Sequence, residues 1–413
     1  MTFRSVSGWR TLLACAVSLG VMVTAGTAWA QDRKPGEVPA KASLEEGLWS
    51  EFAKTERSAA NSAERISDPA LEAYVKEVSC RVAPEFCSEL RLYVMDRPIF
   101  NATAAANGYI EVWSGLMLAA SNEAELAFVL GHEIAHYTGR DSLDAFNRMK
   151  STRMVATFAA FAVGAAGISA AGNQTNVTDI QNTLDISRSI AELTYFGIVA
   201  TYFSFSREQE TKADLEGQQR LTRAGYDPRA GVNIWRAVTE IHESSDFRKT
   251  RRRGAVSSVF NTHPVNAERI AYLEQLVKAS PQQGDTNQDS YRAKIRPFLK
   301  PWLNRTLELQ DYGYTLGLLD RLVKPGQDLG VLNFVRGEVY RKRNQDGDGK
   351  RAIAAFQEAS KHQDAPVELY RELGGVAADA GERDIAKAAF AKYLELVPTA
   401  EDAWLVKETM EAL

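Results

Sequence analysis

Residues 132–136 read HEIAH and place two histidines four positions apart in a segment of helical periodicity. Residues at i and i+4 lie on one face of an α-helix, about 6 Å apart along its axis. The imidazoles of His132 and His136 can therefore bind one Zn²⁺ ion per chain, with Glu133 beside them as a base for a water molecule. A helix with two surface histidines and no metal is the alternative. The mid-helix position of the motif favours the metal site.

The helix that carries this motif has its own start and stop signals. Asn122, with a glutamate three residues later, is typical of a capping box, and Gly139 is typical of a C-cap. Upstream, residues 90–95 and 108–113 predict strands, and residues 101–107 predict a loop or an edge strand. We therefore expect a mostly helical α+β domain with a small sheet over the metal helix.

Zinc requires a third protein ligand, and the segment directly after His136 has no further histidine to supply it. Residues 206–214 predict a helix with three acidic candidates, Glu208, Glu210 and Asp214. Spacing alone does not choose among them. It shows only that Glu210 and Asp214 share a helix face.

Residues 1–30 have the pattern of a secretory signal peptide. An uncharged apolar stretch follows two arginines, and residues 28–30 form an Ala-x-Ala cleavage site. An uncleaved membrane anchor is the alternative, against which the cleavage site argues. Export predicts a disulfide between Cys80 and Cys87, with two buried free thiols as the alternative. The net charge of −4 provides no basic surface for nucleic acid.

Two uncharged apolar stretches, residues 154–172 and 193–206, separate the two predicted metal helices. The first is long enough to span a bilayer, which would make the chain an integral membrane protease. A helical hairpin packed on the catalytic core is the alternative. Peripheral membrane contact through residues 154–172 is a further expectation.

The chain changes character near residue 280, where residues 280–290 read as a polar linker. Beyond it, Leu318, Ala352 and Ala386 are spaced by 34 residues, as in tetratricopeptide repeats. A nonrepetitive helical bundle is the alternative. The predicted organisation is a signal peptide over 1–30, a metallopeptidase domain over 31–279, the linker over 280–290 and helical repeats over 291–413.

Taken together, the motifs resemble the metallopeptidase family of the CAAX prenyl protease and HtpX, in its periplasmic branch with tetratricopeptide repeats. Residues 206–214 match its S-R-x-x-E-x-x-A-D pattern, and residues 262–264 and 268–270 match its T-H-P and E-R-I elements. The resemblance implies a gluzincin-type domain in which Glu210 is the third ligand. It also implies that Asp214 lies behind the ligands and holds one of the histidines.

His263 of the T-H-P element has two possible roles. Its neighbour Pro264 predicts a fixed loop, from which His263 would stabilise the oxyanion of the intermediate. The resemblance also allows His263 to take the fourth zinc position and keep the enzyme latent. A structural histidine is the alternative. The sequence gives no partner motif for His242 or His362, so both are expected at the surface.

The function implied is a zinc endopeptidase that hydrolyses misfolded or unassembled envelope proteins. Extended substrates are expected along residues 108–112, taken as an edge strand. The repeats would bind substrates or outer-membrane partners, and the polar linker predicts that a chain cut near Ser280 still folds. The alternative is a chaperone or assembly factor in which binding by the repeats dominates and proteolysis is latent.

Overall fold

The structure, a computed structural model, describes residues 32–149, 205–248, 267–279 and 283–413. The predicted signal peptide, the apolar stretch 154–172 and His263 lie outside the described residues. Within those four ranges, no helix combines the length and hydropathy needed to cross a bilayer.

Two capped helices open the described chain. Helix α1 (Leu44–Ala60) begins where the Ser43 hydroxyl accepts the Glu46 amide, and α2 (Pro69–Val82) begins where the Asp68 carboxylate accepts the Leu71 amide. A short 3₁₀ turn follows α2. The predicted disulfide between Cys80 and Cys87 is confirmed and joins the end of α2 to this turn.

A three-stranded sheet follows, with β1 (Arg91–Met95), β2 (Ala102–Ala104) and β3 (Tyr109–Trp113) in the order β1-β3-β2. Strand β3 pairs parallel with β1 and antiparallel with β2. The expectation that residues 108–112 form an edge strand is therefore wrong, because β3 is the central strand. Strands β1 and β2 lie at the two edges. Strand β2 lies in the segment 101–107, for which the sequence predicted either a loop or an edge strand.

Six helices of the described residues complete the peptidase region, and two of them are started by side-chain caps. The helices are α3 (Ser114–Ala119), α4 (Glu123–Thr138), α5 (Asp141–Met149), α6 (Arg207–Arg223), α7 (Ala230–Glu243) and α8 (Ala267–Ala279). Asn122 caps α4, and Ser206 with Gln209 forms a capping box at α6.

Eight further helices form the C-terminal region. They are α9 (Gln288–Ile295), α10 (Leu299–Glu308), α11 (Tyr312–Leu322), α12 (Leu329–Arg343), α13 (Asp348–Ala359), α14 (Leu369–Asp379), α15 (Arg383–Leu396) and α16 (Ala403–Ala412). The aromatic rings of Phe356 and Phe390 pack over Gly337 and Gly374, so each ring lies in the contact between paired helices α12–α13 or α14–α15. This arrangement confirms the mostly helical fold, while the tetratricopeptide assignment stays a prediction.

One continuous hydrophobic core links the peptidase and C-terminal regions. Tyr291 of α9 is fully buried and donates its hydroxyl to the carbonyl of Met117 at 2.6 Å. In the predicted linker, Asp285 exchanges backbone hydrogen bonds with Gly225 and Asp227. The described part of this segment is therefore packed against the peptidase region.

The expectation that His242 lies at the surface is wrong, because this histidine is buried.

Candidate metal centre

The site is built where α4 and α6 lie side by side. His132 and His136 come from one face of α4, and Glu210 comes from the first turn of α6. Gly131 and Gly217 face each other between the two helices, so no side chain holds the backbones apart. The residues His132, His136 and Glu210 are each at most 1% exposed.

The ligand atoms of these three residues converge on one point. The two Nε2 atoms lie 3.1 Å apart, Nε2 of His132 lies 3.5 Å from Oε2 of Glu210, and Nε2 of His136 lies 3.6 Å from Oε1. Ligands at the zinc bond lengths of about 2.0–2.1 Å in a tetrahedron are roughly 3.3–3.4 Å apart. The donor set, two imidazoles and one carboxylate, therefore fits a zinc ion in chemistry and in spacing.

A carboxylate lies behind each histidine. Nδ1 of His132 is 3.0 Å from Oδ1 of Asp214, and Nδ1 of His136 is 2.6 Å from Oδ2 of Asp141. Such pairing fixes the ring orientation and leaves the Nε2 lone pair for a metal. Gln209 donates to Asp141 at 2.9 Å, which holds this second carboxylate in place.

The electrostatic environment differs between the two imidazoles. Burial lowers the pKa of His132, but the carboxylates of Asp214 and Glu210 outweigh burial and raise this pKa to about 9. Burial is the main cause that lowers the pKa of His136. In Asp214, burial acts to raise the carboxyl pKa, but Arg269 and His132 lower it overall. A metal at this site therefore competes with a proton on His132.

Glu133 lies on α4 between the two histidines and is 3% exposed. Its Oε2 accepts the backbone amide of Ala104 at 3.1 Å, so the edge strand β2 contacts this carboxylate directly. The carboxylate is held in a position suited to a general base beside the metal ligands.

The described residues include an arginine that contacts two of the acidic groups. Arg269 of α8 places Nη1 2.8 Å from Oε2 of Glu210, and it donates twice to the carboxylate of Asp214 at 2.7 Å. Trp235 donates its indole N–H to the same aspartate at 3.2 Å and lies beneath the guanidinium. Phe205 stacks on the ring of His136 with centroids 3.9 Å apart.

The structure thus brings together most of the residues that the sequence singled out. His132, Glu133, His136, Glu210 and Asp214 lie in one buried cluster, whereas Glu208 is exposed. His263 lies outside the described residues, so neither of its suggested roles is tested.

Sequence reasoning missed the side chains that support the ligands from behind, namely Asp141, Gln209, Trp235 and Arg269. A signal existed for two of them. Asp141 follows the motif at the start of the next helix, and Arg269 belongs to the E-R-I element.

The centre is that of a metallopeptidase. It combines two histidines of a buried HExxH helix with a glutamate of a following helix. The model of peptidase family M48 matches residues 67–277, about half of the chain. This chain therefore belongs to peptidase family M48 and is a metalloendopeptidase.

Relatives with known names agree with this placement. The beta-barrel assembly-enhancing protease of Escherichia coli (strain K12) is 25% identical over 58% of this chain and 46% of its own length. The protein of that name from Yersinia pestis is 26% identical over 57% of this chain and 45% of its own. The metalloprotease LoiP of Escherichia coli (strain K12) is 30% identical over 43% of this chain and 59% of its own. The chain spans less than half the length of the assembly-enhancing proteases.

Proposed function

We propose that this chain is a zinc-dependent endopeptidase of the bacterial cell envelope that cleaves misfolded or unassembled envelope proteins. The observation that carries the proposal is the convergence of His132, His136 and Glu210 beside the buried carboxylate of Glu133. His132, His136 and Glu210 would hold the zinc, and Asp214 and Asp141 would orient the two imidazoles.

When bound, zinc supplies Lewis acidity and lowers the pKa of a water molecule toward neutrality. Glu133 takes a proton from the attacking water, and the same carboxyl group then protonates the leaving amine. The amide of Ala104 holds one oxygen of Glu133. This pairing fixes the base before the substrate arrives.

The side of strand β2 that pairs with no other strand of the described residues, called its free side here, is the proposed path of the substrate. The opposite side of β2 pairs with β3. For example, the amide of Ala105, directly after β2, donates to the carbonyl of Tyr109 in β3. The amide of Ala104 points away from β3 to Glu133, so the free side of β2 faces the metal centre. An extended polypeptide that adds to this side would pass the catalytic carboxylate. This strand replaces residues 108–112 as the expected docking strand.

The envelope assignment rests on the predicted signal peptide, on the disulfide and on the names of the relatives. A disulfide is typical of proteins that fold in an oxidising compartment such as the periplasm. The C-terminal helical hairpins are proposed to bind substrates or outer-membrane partners, because stacked helix pairs present extended binding surfaces. Peripheral membrane contact through residues 154–172 remains part of this proposal.

The proposal is tested with the purified full chain and an unfolded outer-membrane protein. We expect one zinc per chain, cleavage that stops with a chelator and cleavage that returns with added Zn²⁺. Glu133→Gln should keep the zinc and lower kcat by roughly 10²–10⁴-fold, since it removes the base. Cleavage by Glu133→Gln at the normal rate would refute the assigned base. A zinc-loaded wild-type chain that binds the unfolded protein without cleaving it would favour the chaperone alternative.

A further inference from the structure

Arg269 contacts more of the metal centre than any other supporting side chain described above. Its guanidinium reaches Glu210 through Nη1, and it reaches both oxygens of Asp214 through Nε and Nη2. Through Asp214 it is connected to His132, whose Nδ1 lies 3.0 Å from the same carboxylate. Arg269 is itself 4% exposed, so these contacts are shielded from solvent.

Burial makes this arginine electrostatically necessary. Glu210 and Asp214 lie four residues apart on one face of α6 and are 1% and 0% exposed. Two like charges in such a place would repel each other and lose their hydration. The guanidinium forms an ion pair with Glu210 and donates charge-assisted hydrogen bonds to Asp214, and its planar fork is suited to the paired oxygens of Asp214.

The contact to Glu210 has a consequence for metal coordination. A catalytic zinc site keeps three protein ligands and one open position. A carboxylate that binds through both oxygens would take that position. Arg269 engages Oε2 of Glu210, and Oε1 lies 3.6 Å from Nε2 of His136, so the guanidinium would limit Glu210 to one metal-binding oxygen.

We propose that Arg269 is a positioning residue of the metal centre, which holds Glu210 to one metal-binding oxygen and fixes the ring of His132 through Asp214. This inference rests on the proposed function, since it takes His132, His136 and Glu210 as the zinc ligands. Arg269 of α8 would thus govern the affinity and the coordination number of the metal without binding the metal itself.

The test compares three variants of the full chain in zinc affinity, measured by competition with a chromophoric chelator. Arg269→Gln should weaken zinc binding by roughly 10–100-fold, as is typical for loss of an outer partner of a ligand. Arg269→Lys keeps the charge but not the fork, so a smaller loss is expected. Arg236→Gln is the matched control, since Arg236 joins α7 to Glu274 of α8 in an exposed ion pair away from the metal.

A second measurement uses Co²⁺ in place of zinc and follows its visible absorption. If Glu210 binds through both oxygens in Arg269→Gln, the coordination number rises and the bands lose intensity relative to wild type. A merely structural arginine would leave the bands of the folded, metal-loaded variant unchanged. Should Arg269→Gln fail to fold, Arg269→Lys decides the question by the same two measurements.

Wild-type zinc affinity and a wild-type cobalt spectrum in the Arg269 variants would overturn the inference. So would an equal loss of affinity in Arg236→Gln, because docking of α8 alone would then explain the effect. Glu210→Ala separates this failure from failure of the proposed function. If Glu210→Ala keeps its zinc, the ligand set is wrong; if it loses zinc while the Arg269 variants do not, only the role of Arg269 is wrong.

Discussion

Gly217 of α6 lies directly against the backbone of His132 in α4. A Cβ atom at Gly217 would stand 3.0 Å from the His132 nitrogen and 3.2 Å from its Cα. Gly131 makes the reciprocal contact, with a Cβ position 3.3 Å from the Cα of Gly217. This close approach of two helices sets the distance between the imidazoles and Glu210, so the geometry of the metal centre depends on residues that bind nothing.

Replacing Gly217 with valine should therefore weaken zinc binding by about tenfold or more, because a branched side chain forces α6 away from α4. Gly217→Ala should have a smaller effect in the same direction. Gly375→Ala is the control, since this helical glycine has no atom within 4 Å of its Cβ position. Zinc affinity and circular dichroism are measured for each variant. A Gly217→Val chain that folds and binds zinc normally would contradict the idea.

The choice of third ligand makes a paired prediction. Glu210→Ala should lower bound zinc well below one per chain, whereas Glu208→Ala should leave it unchanged, because Glu208 is exposed and Glu210 is buried beside the two histidines. Metal content after dialysis is the measurement. The reverse result would show that the wrong face of α6 had been assigned to the metal.

Sequence periodicity predicted α4, α6 and the strands β1 and β3 well, because each of them carries local signals. Asn122 and Ser206 cap their helices through their own side chains, and such caps are visible in a single sequence. The pairing order of the strands was not visible, since it depends on contacts between segments that are distant in the chain. For this reason β3 was taken as an edge strand although it lies in the centre.

The supporting side chains of the metal centre show the same limit. His132 and His136 form a motif within five residues, whereas Arg269 reaches Asp214 across 55 positions of sequence. Arg269 belongs to the E-R-I element, but nothing in that element marks the arginine as buried against Asp214. His242 was misjudged for a similar reason, because its burial comes from contact with Tyr314 of the C-terminal region.

The disulfide makes a prediction about compartment. Cys80 and Cys87 should resist alkylation in the protein isolated from cells until a reductant is added. Replacing both with serine should lower the free energy of unfolding by about 2–3 kcal/mol, since the bridge closes a short loop. Mass spectrometry after alkylation and thermal unfolding are the measurements. Full alkylation without reductant would argue against folding in an oxidising compartment.

Asp348 provides a prediction about pH. The Arg343 guanidinium beside it holds the pKa of this buried carboxyl well below its usual range, and Arg351 and the amide of Gln345 act in the same direction. A carboxyl whose pKa is lower in the folded state stabilises the fold above its unfolded pKa of about 3.9 and loses that contribution as pH falls further.

Asp348→Asn should therefore lower the stability by about 1–3 kcal/mol at pH 7, and the difference from wild type should shrink below about pH 4. Asp346→Asn is the control, because Asp346 is exposed in the same turn. Thermal unfolding at several pH values is the measurement. A difference that grows as the pH falls would be inconsistent with a lowered pKa in the folded state.

Arg321 of α11 connects the C-terminal helices to the start of the metal helix. It donates to the carbonyl of Ala119 at 2.6 Å and forms an ion pair with Glu125, which lies in the first turn of α4 and is 2% exposed. The polar residues near 280 predict that the peptidase region folds alone. In contrast, the structure predicts that a chain cut there would leave Glu125 buried without its partner and would expose the surface that Tyr291 covers.

Arg321→Ala should lower the free energy of unfolding by about 3–5 kcal/mol, the usual cost of leaving a buried charge unpaired. Arg336→Ala should cost less than about 1 kcal/mol, because Arg336 pairs with the exposed Asp320 within the C-terminal region. Thermal unfolding and zinc content are the measurements. Loss of zinc in Arg321→Ala would show that the destabilisation extends to the metal helix α4.

A chain ending near residue 280 should fail to fold. If that shortened chain folds and cleaves an unstructured peptide, or if both arginine variants unfold alike, the two regions are independent and the polar segment is a true linker.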